Sequence, residues 1–589
     1  MTVNQSLSAL RQEMSDAQID AYIIPSSDPH QSEYAASHWL SRQWISGFTG
    51  SAGTAIVTHD HAGLWTDVRY FLQAEHELST SSFELHKMNQ FAPSYVQWLA
   101  DELQENAAVG IDGFNFSVTQ ARSMEKTFSS KSIKLVVNKD LISKVWSDRP
   151  SLPSDTVFIH PEKYQGDSMA NRIESVQKTL NTNEHLLVTA LDDIAWLLHL
   201  RGRDVECNPV AIAYVIVGKT SVDLFINPSK VPQDVMDVYT ANGVQIKEYT
   251  SLSTSLQAIN ANDTVVLDPS ICSIALYDMI SSSIHEEGSI IRSMKAIKND
   301  KEINHIREAM IKDGVALTKA FIWLENNLGN EEISEYAFAQ KIAGFRSDQA
   351  VYFGESFSAI VGYKGNGAII HYHPTSDKSD IIQKSGVLLC DSGGQYYDGT
   401  TDITRTIALH DDVPKEAKVA YTAVLKGMIA LDMAIYPVGT IGGQLDVLAR
   451  KYLWDLGLNY GHGTGHGVGY FLNVHEPPQG FAPGLTSSRA TSALEIGMIT
   501  SNEPGFYKEG EYGIRIENCI VTKAHSKEGY LCHESLTMFP IDHAMMKTEL
   551  LTTEEIAWLN DYHTKVYSLL SGRLNEEEKI WLKAKCASI

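Results

Sequence analysis

The sequence predicts a mixed α/β (α+β) chain of two N-terminal α/β domains followed by a larger C-terminal domain, and three observations carry that expectation. The first half shows one plan twice: a buried strand, a turn, a tryptophan-bearing helical stretch and a pair of strands around glycine. A long amphipathic helix follows near Lys295, over residues 296–328. Beyond it, short apolar runs repeatedly end in Asp, Glu or His. At 589 residues the chain is too long for a single core.

The first copy opens with AYIIPSSDP at residues 21–29, passes Trp39 and Trp44, and continues through GFTGSAGTAIVT and GLWTDVRYFLQAEHEL. The second opens with HLLVTALDDIAWLLHLRGRD at residues 185–204, carries Trp196 and turns at Gly202 before AYVIVGKTSVDLFINPSKV repeats the strand pair. Their tryptophans read as core. SDRPSLPSD at residues 147–155 joins the copies, because Pro150 and Pro153 break regular structure. The expected domains are therefore residues 1–152, 153–298 and 299–589. In the third, Ile303, Ile306, Met310, Leu317 and Phe321 recur at three- and four-residue steps and mark a buried helical stripe. Near the end, Thr552 and Glu555 have capping-box spacing and open another helix.

Composition limits the partners. A formal charge of −24 argues against nucleic acid, whose phosphates call for a basic surface. The six cysteines are scattered without CxxC spacing, which reads as free thiols in a reducing compartment. The polar start lacks the apolar block of a signal peptide, and no apolar run approaches the roughly 20 residues that span a bilayer. The expectation is a cytoplasmic protein without a membrane partner.

The chemistry gathers around VLLCDSGGQYYDGTTDITRTIAL, residues 387–409. An apolar run ends in Asp391, glycines turn the chain, and a returning strand carries Asp402, Thr404 and Thr406 on one face and Ile403, Arg405 and Ile407 on the other. Two carboxylates side by side repel unless one is protonated or cations lie between them. Further donors follow. GHGTGHGVG presents His462 and His466 on a glycine-rich backbone, SNEPGFY places Glu503 at a strand end, and GIRIENCIV sets Arg515 and Glu517 on one face. Two divalent cations would balance four carboxylates. The oxygen-rich donor set favours manganese, with zinc or cobalt as alternatives. A pair of metals about 3.5 Å apart suits hydrolysis.

With these motifs in view, the sequence resembles the M24 metallopeptidases of the pita-bread fold, and among them the three-domain cytosolic aminopeptidase P group. DSGGQYYDGTTDITRT, GHGTGHGVGYFLNVHE, SNEPGFY, GIRIEN and GNGAIIHYHP carry the resemblance, which spans essentially the whole chain. It implies two creatinase-like domains followed by a pita-bread catalytic domain with a C-terminal helical extension. It also implies five metal ligands, Asp391, Asp402, His466, Glu503 and Glu517, with Asp402 and Glu517 bridging two ions. His371, His462 and His475 become accessory histidines, supported by Arg515 and Tyr507. The implied reaction is attack of a metal-bridged hydroxide on the carbonyl before proline. Glu503 takes the water's proton, His371 stabilises the oxyanion, and His462, His475 and Arg515 line the proline side. His373 stands where the family pattern has a non-basic residue. Implied partners are peptides beginning Xaa-Pro and a second copy of the chain in a homodimer. A dipeptide-cleaving prolidase, an inactive binding protein on the same scaffold and a creatinase-type amidinohydrolase are the competing readings. Tandem upstream domains argue against the first of these and the filled ligand positions against the second.

Overall fold

The computed structural model describes residues 1–89, 92–410, 412–485 and 487–589. It divides into one unit of Met1–His160 with Asp167–Ile291 and another of Pro161–Gly166 with Arg292–Ile589.

The first unit holds two six-stranded sheets. In chain order the strands of one are Ala21–Ile24, Thr54–Thr58, Ala62–Thr66, Glu84–Lys87, Ala108–Gly110 and Lys134–Val136; those of the other are Glu184–Val188, Tyr214–Gly218, Val222–Phe225, Val244–Lys247, Thr264–Leu267 and Ser283–Glu286. Numbered within each sheet, both follow the order 4-3-2-1-5-6. Both also pair 1 with 2 and 2 with 3 antiparallel and the remaining neighbours parallel. The repeated pattern in the sequence is thus a repeat of topology. Strand alternation explains why these runs are apolar throughout: Tyr22 and Ile24 pack with helix Val3–Asp16 on one side of the sheet, while Ala21 and Ile23 meet Phe116, Met124 and Phe128 on the other. Trp39 is buried as a core reading requires, while Trp44, stacked on Trp146 at 5.2 Å, and Trp196 are half-buried. Residues 149–157 form no regular element.

In the second unit the long helix is Asp300–Asn327. The amphipathic stretch from Lys295 is therefore not one helix. Ile290–Ala296 ends separately, and Asn299 caps the new start in a capping box with Glu302. All five residues of the expected stripe are buried. Two groups of strands carry the chemistry: a three-stranded sheet of Ile360–Tyr363, Val387–Ser392 and Ile403–Ala408, and a six-stranded sheet that includes Gly465–Gly467, Ile499–Asn502 and Asn518–Ala524. Helices Lys415–Asp432 and Gly442–Trp454 contribute Tyr421, Val424, Met428 and Leu453 to the core behind them.

Thr552 and Glu555 form the expected capping box at the start of Thr553–Leu570. That helix is tied to the sheet by Arg405. The sequence puts Arg405 on the apolar face of its strand, and it is buried there as a hub. Its guanidinium donates to the Glu517, Phe539 and Pro540 carbonyls at 2.6, 2.8 and 2.9 Å, to Asn518 Oδ1 at 2.9 Å and to the Tyr562 hydroxyl at 2.8 Å. Among the described residues no helix is long and apolar enough to cross a membrane, and all six cysteines are free.

Arg405→Met keeps the apolar stem but leaves those acceptors buried and unpaired, which costs about 3 kcal/mol or more. Differential scanning calorimetry should show the transition of the second unit lowered by about 5 °C or more. An unchanged midpoint would remove Arg405 from the framework.

Candidate metal centre

Strand register brings the acidic residues together. Asp391 lies opposite Thr404 on one neighbouring strand and Ile360 on the other. Asp402 does not share the returning strand as expected; it stands one residue ahead of Ile403–Ala408. Of the residues expected to turn, Ser392 instead ends Val387–Ser392 and Gly394 opens strand Gly394–Tyr396, which pairs with Tyr352–Glu355 and Gly399–Thr400. His466 lies in Gly465–Gly467, next to Ile499–Asn502, and Glu503 follows that strand directly. Here glycine serves backbone packing: a Cβ on Gly465 would sit 1.9 Å from the Ser501 carbonyl oxygen. The alternation through GIRIENCIV is interrupted. The chain leaves the hairpin Gly505–Lys508/Tyr512–Arg515 and joins the six-stranded sheet at Asn518, with Glu517 at the crossing. Arg515 and Glu517 still reach one point, since Arg515 Nε donates to Thr404 Oγ1 at 3.2 Å and Thr404 Oγ1 donates to Glu517 Oε2 at 2.8 Å.

Ligand atoms of Asp402, His466 and Glu517 all lie within 4.8 Å of one another. His466 Nε2 is 3.4 Å from both Asp402 Oδ2 and Glu503 Oε1. Its Nδ1 is 2.9 Å from the Gly467 carbonyl, which can only accept, so Nδ1 carries the proton and the Nε2 lone pair faces the carboxylates. Asp391 Oδ2 accepts from Arg515 Nη2 at 2.6 Å. Asp391 Oδ1 and Glu517 Oε1 are buried and accept no hydrogen bond. Burial, then repulsion among the carboxylates, holds Asp402 and Glu517 well above the ordinary carboxylate range. Burial also raises Asp391, against the pull of Arg515. Glu503 is buried too, yet His466 and His462 in their protonated forms, together with Arg515, draw it below its ordinary value. Unpaired buried oxygens, an imidazole lone pair and four carboxylates against one guanidinium form a donor set that fits divalent cations.

The accessory residues fall around this centre. His462 Nδ1 donates to the Gly463 carbonyl at 2.7 Å, so its Nε2 accepts from the Tyr507 hydroxyl at 2.8 Å, which in turn accepts from Arg515 Nη1 at 2.7 Å. Burial pushes the His462 imidazole down to about 4 and the Tyr507 hydroxyl up to about 12, so both are neutral near pH 7. The His475 ring meets that of His466 edge-on at 4.2 Å. His371 lies beyond the turn Lys364–Ala368, where a Cβ on Gly513 would come within 1.7 Å of the Gly367 oxygen. Arg515 Nη2 donates at 3.4 Å to the carbonyl of Ile370, the residue before it. His373 is exposed.

Three residues enter that the sequence reading left without a role. Thr404 links Glu517 to Arg515, and Ser501 Oγ donates to Glu503 Oε1 at 3.1 Å while accepting from His466 N at 3.0 Å. Both were within reach of period-two alternation, one from Asp402 and the other from Glu503. Glu335 is the third: its carboxylate accepts from Tyr363 N at 2.7 Å, Asp380 N at 2.8 Å and the Tyr372 hydroxyl at 2.7 Å, pinning the loop that carries His371. Nothing in its helical sequence context signals that task.

Four family models match the chain. Metallopeptidase family M24 covers residues 304–524 and the C-terminal region of peptidase M24 residues 529–589. Creatinase/Prolidase N-terminal domain models cover residues 7–145 and 148–302. A probable Xaa-Pro aminopeptidase P of Paracoccidioides brasiliensis is 39% identical, with 100% of this chain and 99% of that protein covered. One from Coprinopsis cinerea is also 39% identical, covering 100% and 98%. Among solved structures, X-prolyl aminopeptidase from Caenorhabditis elegans, described as a cytosolic enzyme with a di-nuclear active site, matches with a TM-score of 0.94 and 33% identity over 100% of both chains.

Thr404→Val removes the hydroxyl shared by Glu517 and Arg515 while preserving shape. Metal affinity should fall about 10- to 100-fold with the circular dichroism unchanged. Affinity equal to wild type, measured by competition with a chelator, would show that Thr404 does not hold Glu517 in position.

Proposed function

From the premise that the chain belongs to metallopeptidase family M24, in its Xaa-Pro aminopeptidase P group, we propose that it releases the N-terminal residue from peptides with proline in second position. The observation that carries the reading is the convergence of Asp391, Asp402, His466, Glu503 and Glu517, with two buried carboxylate oxygens left unpaired. These five would hold two divalent ions, with Asp402 and Glu517 shared between them and manganese favoured by the oxygen-rich set. When bound, such a pair lowers the pKa of a water and polarises the scissile carbonyl.

The chain's own groups supply the rest. Glu503, steadied by Ser501, accepts the proton given up by the attacking water. His371 donates to the oxygen that gains charge as the carbonyl is attacked. Arg515, Tyr507 and His462 form one hydrogen-bonded run, with His475 beside His466, and line the side that receives proline. Proline has no amide hydrogen, so its ring and carbonyl must be recognised. His462, neutral and held at Nδ1 and Nε2, offers a flat face for that purpose. The same reading takes the protein to be a cytoplasmic homodimer, in line with its six free cysteines and with the description of the Caenorhabditis elegans enzyme as cytosolic.

A panel of Xaa-Pro, Xaa-Pro-Yaa, Xaa-Ala-Yaa and acetyl-Xaa-Pro-Yaa peptides in manganese buffer tests the proposal. Xaa-Pro-Yaa should be cut and the alanine and acetylated peptides spared; cleavage of the dipeptide alone would favour a prolidase, and no turnover a binding protein. His371→Ala should retain metal and lose about 10²-fold or more in kcat. Full activity in that variant would remove His371 from the oxyanion role.

A further inference from the structure

A second cluster of metal-binding side chains lies far along the sequence from the centre above, on the first sheet of the first unit. His61, Glu84 and His86 offer ligand atoms that are all within 4.8 Å of one another. The sheet itself arranges them. Ala62–Thr66 and the edge strand Glu84–Lys87 pair in parallel, with Gly63 opposite Glu84 and Trp65 opposite His86. Partners in register point to the same face, and so do residues two apart on one strand. His61, Glu84 and His86 therefore rise from one face around position 63.

That position is glycine, and the space above it is what the imidazoles use. A Cβ on Gly63 would come within 2.8 Å of His61 Nε2 and 2.9 Å of His86 Cδ2. His61 Nε2 and His86 Nε2 face each other at 3.1 Å. Two imidazole nitrogens on one tetrahedral zinc stand about 3.3 Å apart, as follows from Zn–N bonds of about 2.0–2.1 Å. The pair is thus within a few tenths of an ångström of the spacing the ion demands. Both rings are braced. His86 stacks on Trp65 at 3.8 Å, and Trp98 lies 4.9 Å from the His61 ring. The hairpin turn fixes His61 through its backbone N–H, which donates to Thr58 Oγ1 at 2.9 Å.

We propose that His61, Glu84 and His86 form a zinc-binding site on the first unit, with two imidazole nitrogens and one carboxylate as protein ligands and water completing the tetrahedron. Two nitrogen donors and one oxygen suit zinc better than manganese, the reverse of the oxygen-rich centre in the second unit. Glu84 is exposed and sits on an edge strand, so the ion can enter from solvent.

The test is zinc stoichiometry of the full-length protein by equilibrium dialysis and elemental analysis. Comparing wild type with His61→Ala and His86→Ala isolates this site whatever the other centre holds. Wild type should bind about one zinc per chain more than either variant, and Glu84→Gln, an exposed change that keeps shape, should weaken that zinc about tenfold or more. Circular dichroism identifies any variant that fails to fold, in which case Glu84→Gln alone decides. Equal zinc content and affinity in wild type and the folded variants would overturn the site.

Discussion

Everything in the second unit is arranged around a charge problem. Asp391, Asp402, Glu503 and Glu517 converge in the interior, where the Arg515 guanidinium pairs with Asp391. Two like charges 4 Å apart repel by about 4 kcal/mol at the effective dielectric typical of proteins. Without cations the site must take up protons, which is the direction in which Asp391, Asp402 and Glu517 are pushed. Two divalent ions would balance the four charges and would give partners to the two oxygens that accept no hydrogen bond.

The scaffold keeps these groups from separating. Thr404 stands between Arg515 and Glu517, Ser501 between His466 and Glu503, and the Gly467 carbonyl sets the tautomer of His466. Behind the same strand Arg405 grips the backbone of Glu517 and the hydroxyl of Tyr562, so the position of a carboxylate is tied to helix Thr553–Leu570. His371 is held differently. It lies on a loop steadied by Glu335 and by the Arg515 contact to Ile370.

Much of this was legible in the sequence because the signal is periodic. Alternation placed Thr404 and Thr406 opposite Arg405, and both Thr404 and Arg405 act on the faces where it put them. Apolar strands ending in acid marked the carboxylates that converge, and spacing marked the Thr552 cap. What stayed hidden depends on the path of the chain in space. No pattern shows that Gly394–Tyr396 pairs with Tyr352–Glu355, or that the backbone changes sheets between Arg515 and Asn518. Nor does a sequence show that one helix ends at Ala296 and that Asn299 caps the next, since the amphipathic period runs on across the break. The duplication falls between these cases: its strands were readable, while their identical order needed the sheets themselves.

The central claim is that the buried carboxylates are a site for a pair of divalent ions. Elemental analysis after dialysis against manganese tests it directly, with Asp402→Ala as the comparison. The account predicts close to two manganese ions per wild-type chain and a loss of both in the variant, because Asp402 would serve both ions. Trace manganese in the wild-type protein, or two ions retained by Asp402→Ala, would contradict it.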